Sequence, residues 1–184
     1  SITDGHDLGY VEQFPLYGTV SNINAFAIGA QFINPWAKVH LSWSGLINAN
    51  WKEEFRRKDI HTISGPEFSK PFERSREFGL YIGSNGEVGF NVAAAVYNWG
   101  KYYEMIIRSI LEGNYDANSL AKTHSALNYY YGLKEGVIDV ILSGNLSYSS
   151  KKLMSILEKE IEEGRLLPFS GEIHSQTEKI RAEG

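Results

Sequence analysis

The chain has 184 residues and a formal net charge of −4, with 42% hydrophobic and 22% charged residues, enough for one domain with a sizeable core. This acidic balance argues against nucleic-acid binding, which needs a basic face, and no stretch approaches the ~18 apolar residues of a membrane span. The chain holds no cysteine, which excludes disulfides and thiolate metal sites.

In chain order, Leu8-Gly9-Tyr10-Val11 predicts a strand closed by Phe14-Pro15. Val20, Ile23, Phe26, Ala27, Ala30 and Ile33 follow at helical spacing, stopped by Asn34-Pro35. Lys38 to Trp43 alternates with period two and predicts a second strand. Asn48 is the expected cap of a helix from Trp51 to Lys58. Asp59 to Ile63 predicts a third strand, Phe68 to Phe78 a helix, and Gly79 to Gly83 a fourth strand. Strands alternating with helices imply an α/β fold, with a mostly parallel sheet sandwiched by helices.

Beyond Gly89 the rhythm changes. Trp99, Tyr102, Tyr103, Ile106, Ile107, Ile110 and Leu111 form one apolar stripe on a helix expected to end near Gly113. Val137 to Leu142 predicts a further strand. Ser149 is the expected cap of a helix bearing Leu153, Ile156, Leu157 and Ile161, stopped by Gly164. Leu166 to Phe169 and Glu172-Ile173, flanking Ser170-Gly171, predict a terminal hairpin.

Catalytic signatures are missing. Gly83-Ser84-Asn85-Gly86-Glu87-Val88-Gly89 follows a strand but lacks the dinucleotide spacing. There is no phosphate-binding Gly-Lys-Ser/Thr and no Gly-x-Ser-x-Gly elbow. The five histidines, His6, His40, His61, His124 and His174, show no metal-ligand spacing. Carboxylate pairs Glu53-Glu54 and Glu162-Glu163 fall on solvated helix faces. No catalytic residue, metal or cofactor is therefore expected, and binding is argued from topology instead.

Open α/β sheets take ligands at the carboxyl ends of their strands. The loops expected there hold Phe14, Trp43 to Asn48, His61 to Pro66 and Ser84 to Asn91. Aromatic faces can stack on a ring while amides and hydroxyls bond its edge, which suits a polar ring-bearing ligand. Ordinary turn chemistry also accounts for these residue types.

Several segments occur in a telling order. They are Gly9-Tyr10-Val11 with Phe14-Pro15; Asn34-Pro35 with Ala37-Lys38-Val39; Asn98-Trp99-Gly100 with Tyr102-Tyr103; Gly132-Leu133-Lys134-Glu135-Gly136-Val137; and Leu167-Pro168-Phe169-Ser170-Gly171-Glu172-Ile173. Together they resemble the C-terminal half of the basic-membrane-protein (BMP) family of lipoproteins, over the stretch from about Gly9 to about Lys179. That family supplies solute-binding components of ABC importers, many of them purine or nucleoside binders. The resemblance implies one lobe of a type I periplasmic binding protein, without enzymatic activity. Residues 1–95 and 127–184 would form the second lobe, and 96–126 a helical segment returning to a first lobe. Ser1 to Asp7 offer neither an initiator Met nor a signal-like run. The chain is thus expected to start mid-protein, with the lipid anchor upstream and the whole lying outside the cytoplasm.

The expected solute contacts are Phe14, Trp43, His61, Asn85, Glu87 and Trp99. The expected partners are a purine or nucleoside, an ABC transporter permease, and a first lobe or homodimer partner against the helix from Trp99 to Leu111, with no nucleic acid. A solvated stripe of seven large side chains would exceed the apolar patch that monomers tolerate, so the stripe is expected to be covered, by the second lobe or by a homodimer. Three loops depart from the family's pattern. Gly45-Leu46-Ile47 stands for Gly-Ser-Trp, His61-Thr62-Ile63 for His-Thr-Asp, and Asn85 and Glu87 for a pair of Asp. Carboxylates that could grip a ribose diol are thereby lost. This supports an alternative class, a cytoplasmic ligand-sensing domain similar to BMP-like transcriptional activators.

Overall fold

Gly9, Tyr10 and Val11 are buried on both faces of β1 (Asp7–Glu12), the burial expected of a strand paired on either side and covered above and below. In the computed structural model, which describes residues 5–66, 76–84, 87–113, 131–175 and 179–181, β1 lies between β2 (Lys38–Trp43) and β3 (Thr62–Ser64), parallel to both. The crossover from β1 to β2 is helix α1 (Tyr17–Ile33). It stops where Pro35 holds Asn34 in extended backbone, with φ −136° and ψ 101°. Helix α2 (Trp51–Arg57) links β2 to β3. Its flanking residue is Asn50 rather than the expected Asn48, and no side chain caps it.

The helices cover opposite faces of the sheet. Tyr10 meets Phe26 of α1 edge to face, ring centroids 5.2 Å apart. Its neighbours Gly9 and Val11 face α2, as strand alternation requires. There Phe55, 1% exposed, joins Val11, Ile60, Ile63 and Tyr81 in the core, with Trp51 and Val88 packed at its margin. Phe55 presses on the β1 backbone itself. A Cβ on Gly9 would lie 2.5 Å from its ring, so only glycine fits there.

From β3 the chain turns back on itself. β4 (Leu80–Ser84) runs antiparallel to β3, β5 (Glu87–Tyr97) antiparallel to β4, and β6 (Ile138–Leu142) antiparallel to β5. The strand order is β2-β1-β3-β4-β5-β6, and four of the six strands run the same way. The helix-flanked α/β sheet is the architecture expected from the sequence. The long β5 and the reversal at β4 are additions to it. Most of the helix expected over Phe68 to Phe78 falls outside the described residues; Arg76 to Phe78 are not helical. Gly79 begins the reversal at φ +57°, where a Cβ would sit 2.5 Å from the carbonyl oxygen of Ala93.

Helix α3 (Trp99–Leu111) leaves the end of β5. Asn98 caps it, its side chain accepting from the backbone N–H of Lys101 at 3.1 Å. Asn98→Ala is expected to cost about 1 kcal/mol while Asn98→Asp retains most of the cap; urea denaturation of the two variants checks this. No residue of α3 is buried, so the rest of the chain does not cover the stripe, which was one of the two covers expected. Trp99 is 55% exposed and Leu111 81%, with Tyr103, Ile107 and Ile110 open between them.

Helix α4 (Tyr148–Glu162) is capped by Ser147, not the expected Ser149; the Ser147 hydroxyl accepts from Ser150 N–H at 3.1 Å. The closing hairpin is displaced as well. β7 (Ile173–His174) pairs with β8 (Lys179–Arg181). Leu166 to Phe169 instead enters a turn in which Ser170 N–H bonds the Leu167 carbonyl at 3.0 Å, and Pro168 lacks the N–H that a ladder would use.

Candidate functional site

The six expected contact residues separate to two ends of the sheet. At the carboxyl end of β1 and β2, Glu12 and Trp43 are in register. The ladder then continues into the loops, Ser44 N–H bonding the Glu12 carbonyl at 2.7 Å and Gly45 N–H that of Gln13 at 3.1 Å. Phe14 lies against this turn. A Cβ on Gly45 would meet the Phe14 ring at 2.5 Å, so a glycine allows the ring to settle on the backbone. Trp43 is half-buried and Phe14 half-exposed beside it. Ser64, Gly65 and Pro66 end β3 at the same edge, Gly65 N–H bonding the Gly79 carbonyl at 2.8 Å.

Trp99 belongs to this edge too, because β5 ends there. It stacks on Tyr97 with centroids 5.4 Å apart, and Tyr102 meets both Trp99 and Tyr131 edge to face. The sheet order puts three strand spacings, roughly 14 Å, between β1 and β5.

His61 and Glu87 lie at the opposite, amino end. The antiparallel course of β4 is the reason: it carries Gly83 down to the start of β3, where Gly83 N–H bonds the His61 carbonyl at 2.8 Å. The ring nitrogens of His61 face the Gly83 carbonyl at 3.1 Å and Asp59 Oδ1 at 3.0 Å. Asn85 lies outside the described residues.

His61 and Glu87 share a cavity of about 200 Å³ with Trp51, Lys52, Glu77 and Tyr81. The last four were not singled out from the sequence, where a lone Trp, Lys or Tyr at an element boundary carries no pattern. A wider groove of about 960 Å³ lies nearby, lined in part by His6, Trp36, Lys38 and His174. Its polar groups are engaged locally, His6 with Asn34 at 2.8 Å and Asp7 with His40 at 2.6 Å. Among the described residues no group of His, Asp and Glu is arranged to hold a metal ion, and no helix is long and apolar enough to cross a membrane.

No family model matches the chain. It is 28% identical over 183 residues to a purine-binding protein of Brucella abortus (strain 2308), the match covering 91% of this chain and 49% of that protein. It is 24% identical over 186 positions to a putative ABC transporter glucose-binding protein of Haloferax volcanii, covering 92% of this chain and 44% of that protein. The chain thus spans about half the length of the curated relatives it matches, and it is similar to substrate-binding proteins.

Proposed function

We propose that this chain is one half of a non-enzymatic solute-binding component of an ABC importer, with a purine or nucleoside as its solute. The observation that carries this reading is the similarity, across nine-tenths of the chain, to two proteins named for binding a small solute. In this reading residues 1–95 and 127–184 form one lobe of a BMP-type protein. Residues 96–126 return to the other lobe, and the whole works outside the cytoplasm on a lipid anchor, delivering to a permease.

The solute would sit at the carboxyl edge of the sheet, the general ligand position of open α/β folds. Trp43 and Phe14 supply aromatic faces there, and Ser44 and Ser64 short polar groups. Trp99, three strands along the same edge from β1, would approach the solute or the other lobe from α3. Closure of two lobes sequesters a solute, and this chain offers only one wall.

The test is a thermal-shift panel of purine bases, nucleosides and glucose against the protein with both halves present. A solute at ~100 times its dissociation constant stabilises the folded state by about 2.7 kcal/mol. A shift of several degrees with a purine is expected, and none with this chain alone. A shift with glucose only would replace the purine, and silence across the panel would move the ligand-sensing alternative to first place.

A further inference from the structure

The cavity runs along the α2 face of the sheet, from His61, Gly83 and Glu87 at the amino end to Trp51, Lys52 and Glu77, and it shares no residue with the solute site proposed above. Its floor is apolar, formed by Phe55, Ile60, Ile63 and Val88, with the Trp51 indole at the wall. Three acidic residues line it, Asp59, Glu77 and Glu87, with two basic ones, Lys52 and Arg56. Both cations are already engaged. Lys52 pairs with Glu77 and lies over the Trp51 ring at 5.3 Å. Arg56 holds Glu53 through two bonds of 2.9 Å. Asp59 is taken by His61. The Glu87 carboxylate has no ion pair or hydrogen bond among the described residues, which leaves it an open acceptor.

Tyr81 is a second, independent mark. It is 2% exposed and lines the cavity, yet its hydroxyl has no partner among the described residues. No side-chain nitrogen or oxygen there is both cut off from solvent and unpartnered, so this hydroxyl opens onto the cavity. Burial first, and the Glu77 carboxylate second, raise its pKa well above the ordinary phenol value, keeping it a neutral hydroxyl. A polar ligand atom in the cavity would find this hydroxyl open to it.

We propose that this cavity binds a small organic amine, its ammonium group donating to Glu87 and the Tyr81 hydroxyl while its apolar body packs on Phe55, Val88 and Trp51. The volume sets the size. Drug-sized ligands occupy ~300–1,000 Å³, so about 200 Å³ admits one ring or a short branched chain. The unengaged carboxylate sets the charge, since a carboxylate ligand would face Glu87 with no unpaired cation among the described lining residues to offset it.

The test is calorimetric titration of the chain with phenethylamine, 2-phenylethanol and phenylacetate, which share a body and differ in charge. Phenethylamine is expected to bind at least tenfold more tightly than the other two. Glu87→Gln, an exposed change that spares the core, is expected to weaken it about tenfold, and Tyr81→Phe to weaken it with an unchanged circular dichroism spectrum. Excess adenine should not displace it, because the cavity and the proposed solute edge share no residue. Equal binding of the alcohol or the acid, absence of heat with all three, full affinity in Glu87→Gln, or displacement by adenine would each overturn the proposal.

Discussion

Phe55→Ala is expected to destabilise the chain by about 3–5 kcal/mol, against a total stability of about 5–15 kcal/mol for a domain. The ring is 1% exposed and occupies the centre of the α2-side core. It also fills the space that a side chain on Gly9 would otherwise take, so its loss leaves a gap against backbone that cannot relax inward without breaking the β1–β2 and β1–β3 ladders. The thermal midpoint should fall by roughly 6–20 °C, at ~2–4 °C per kcal/mol for a domain of this size. Phe55→Leu, which refills most of the volume, should cost less than half as much. A Phe55→Ala protein melting within 2 °C of the parent would show that the core lies elsewhere.

The second large effect is expected on association rather than folding. Ile107 and Leu111 stand open on α3, among the aromatic and aliphatic residues of its stripe. If the other half of the protein packs there, Ile107→Asp buries an unpaired carboxylate at the contact and should weaken association by at least 2 kcal/mol, roughly thirtyfold or more. The chain alone should melt within ~0.5 kcal/mol of the parent, as exposed substitutions do. Co-purification of the two halves, expressed separately, measures the first quantity and a melting curve the second. Undiminished association would remove α3 from the interface. A large loss of stability in the chain alone would mean that the stripe is already packed within it.

Much of the fold is legible in the residues because local and tertiary signals agree. Asn34-Pro35 ends α1, Gly164 at φ +71° closes α4, and Phe55 falls on the buried side of α2. Where the structure departs from expectation, the strand direction is at fault rather than the strand itself. A strand at Gly79 to Gly83 is legible and stands at Leu80–Ser84, but its antiparallel course is not. Ser84 and Glu87 are paired, and the two residues between them in the sequence are Asn85-Gly86, the dipeptide favoured at two-residue hairpin turns. The pairing of Ser84 with Glu87 places Glu87 at the amino end, not in a ligand loop at the carboxyl end. Helix caps slipped by two residues for a simpler reason. Ser147 and Ser149 are equivalent in composition, and only the Ser150 N–H chooses between them.

The antiparallel return at β4 also bears on the order in which the sheet can assemble. β4 and β5 are joined across two residues, so their ladder needs little loop closure and can form on the microsecond scale of an isolated hairpin, about 1–10 μs. β1 and β2 pair only after the α1 crossover is spanned, and β6 meets β5 across the long excursion through α3. Non-local pairings of this kind bear the closure entropy before any contact repays it. The β4–β5 ribbon is thus expected to form first, presenting Tyr81 and Val88, which pack with Phe55 and Ile63 in the folded chain.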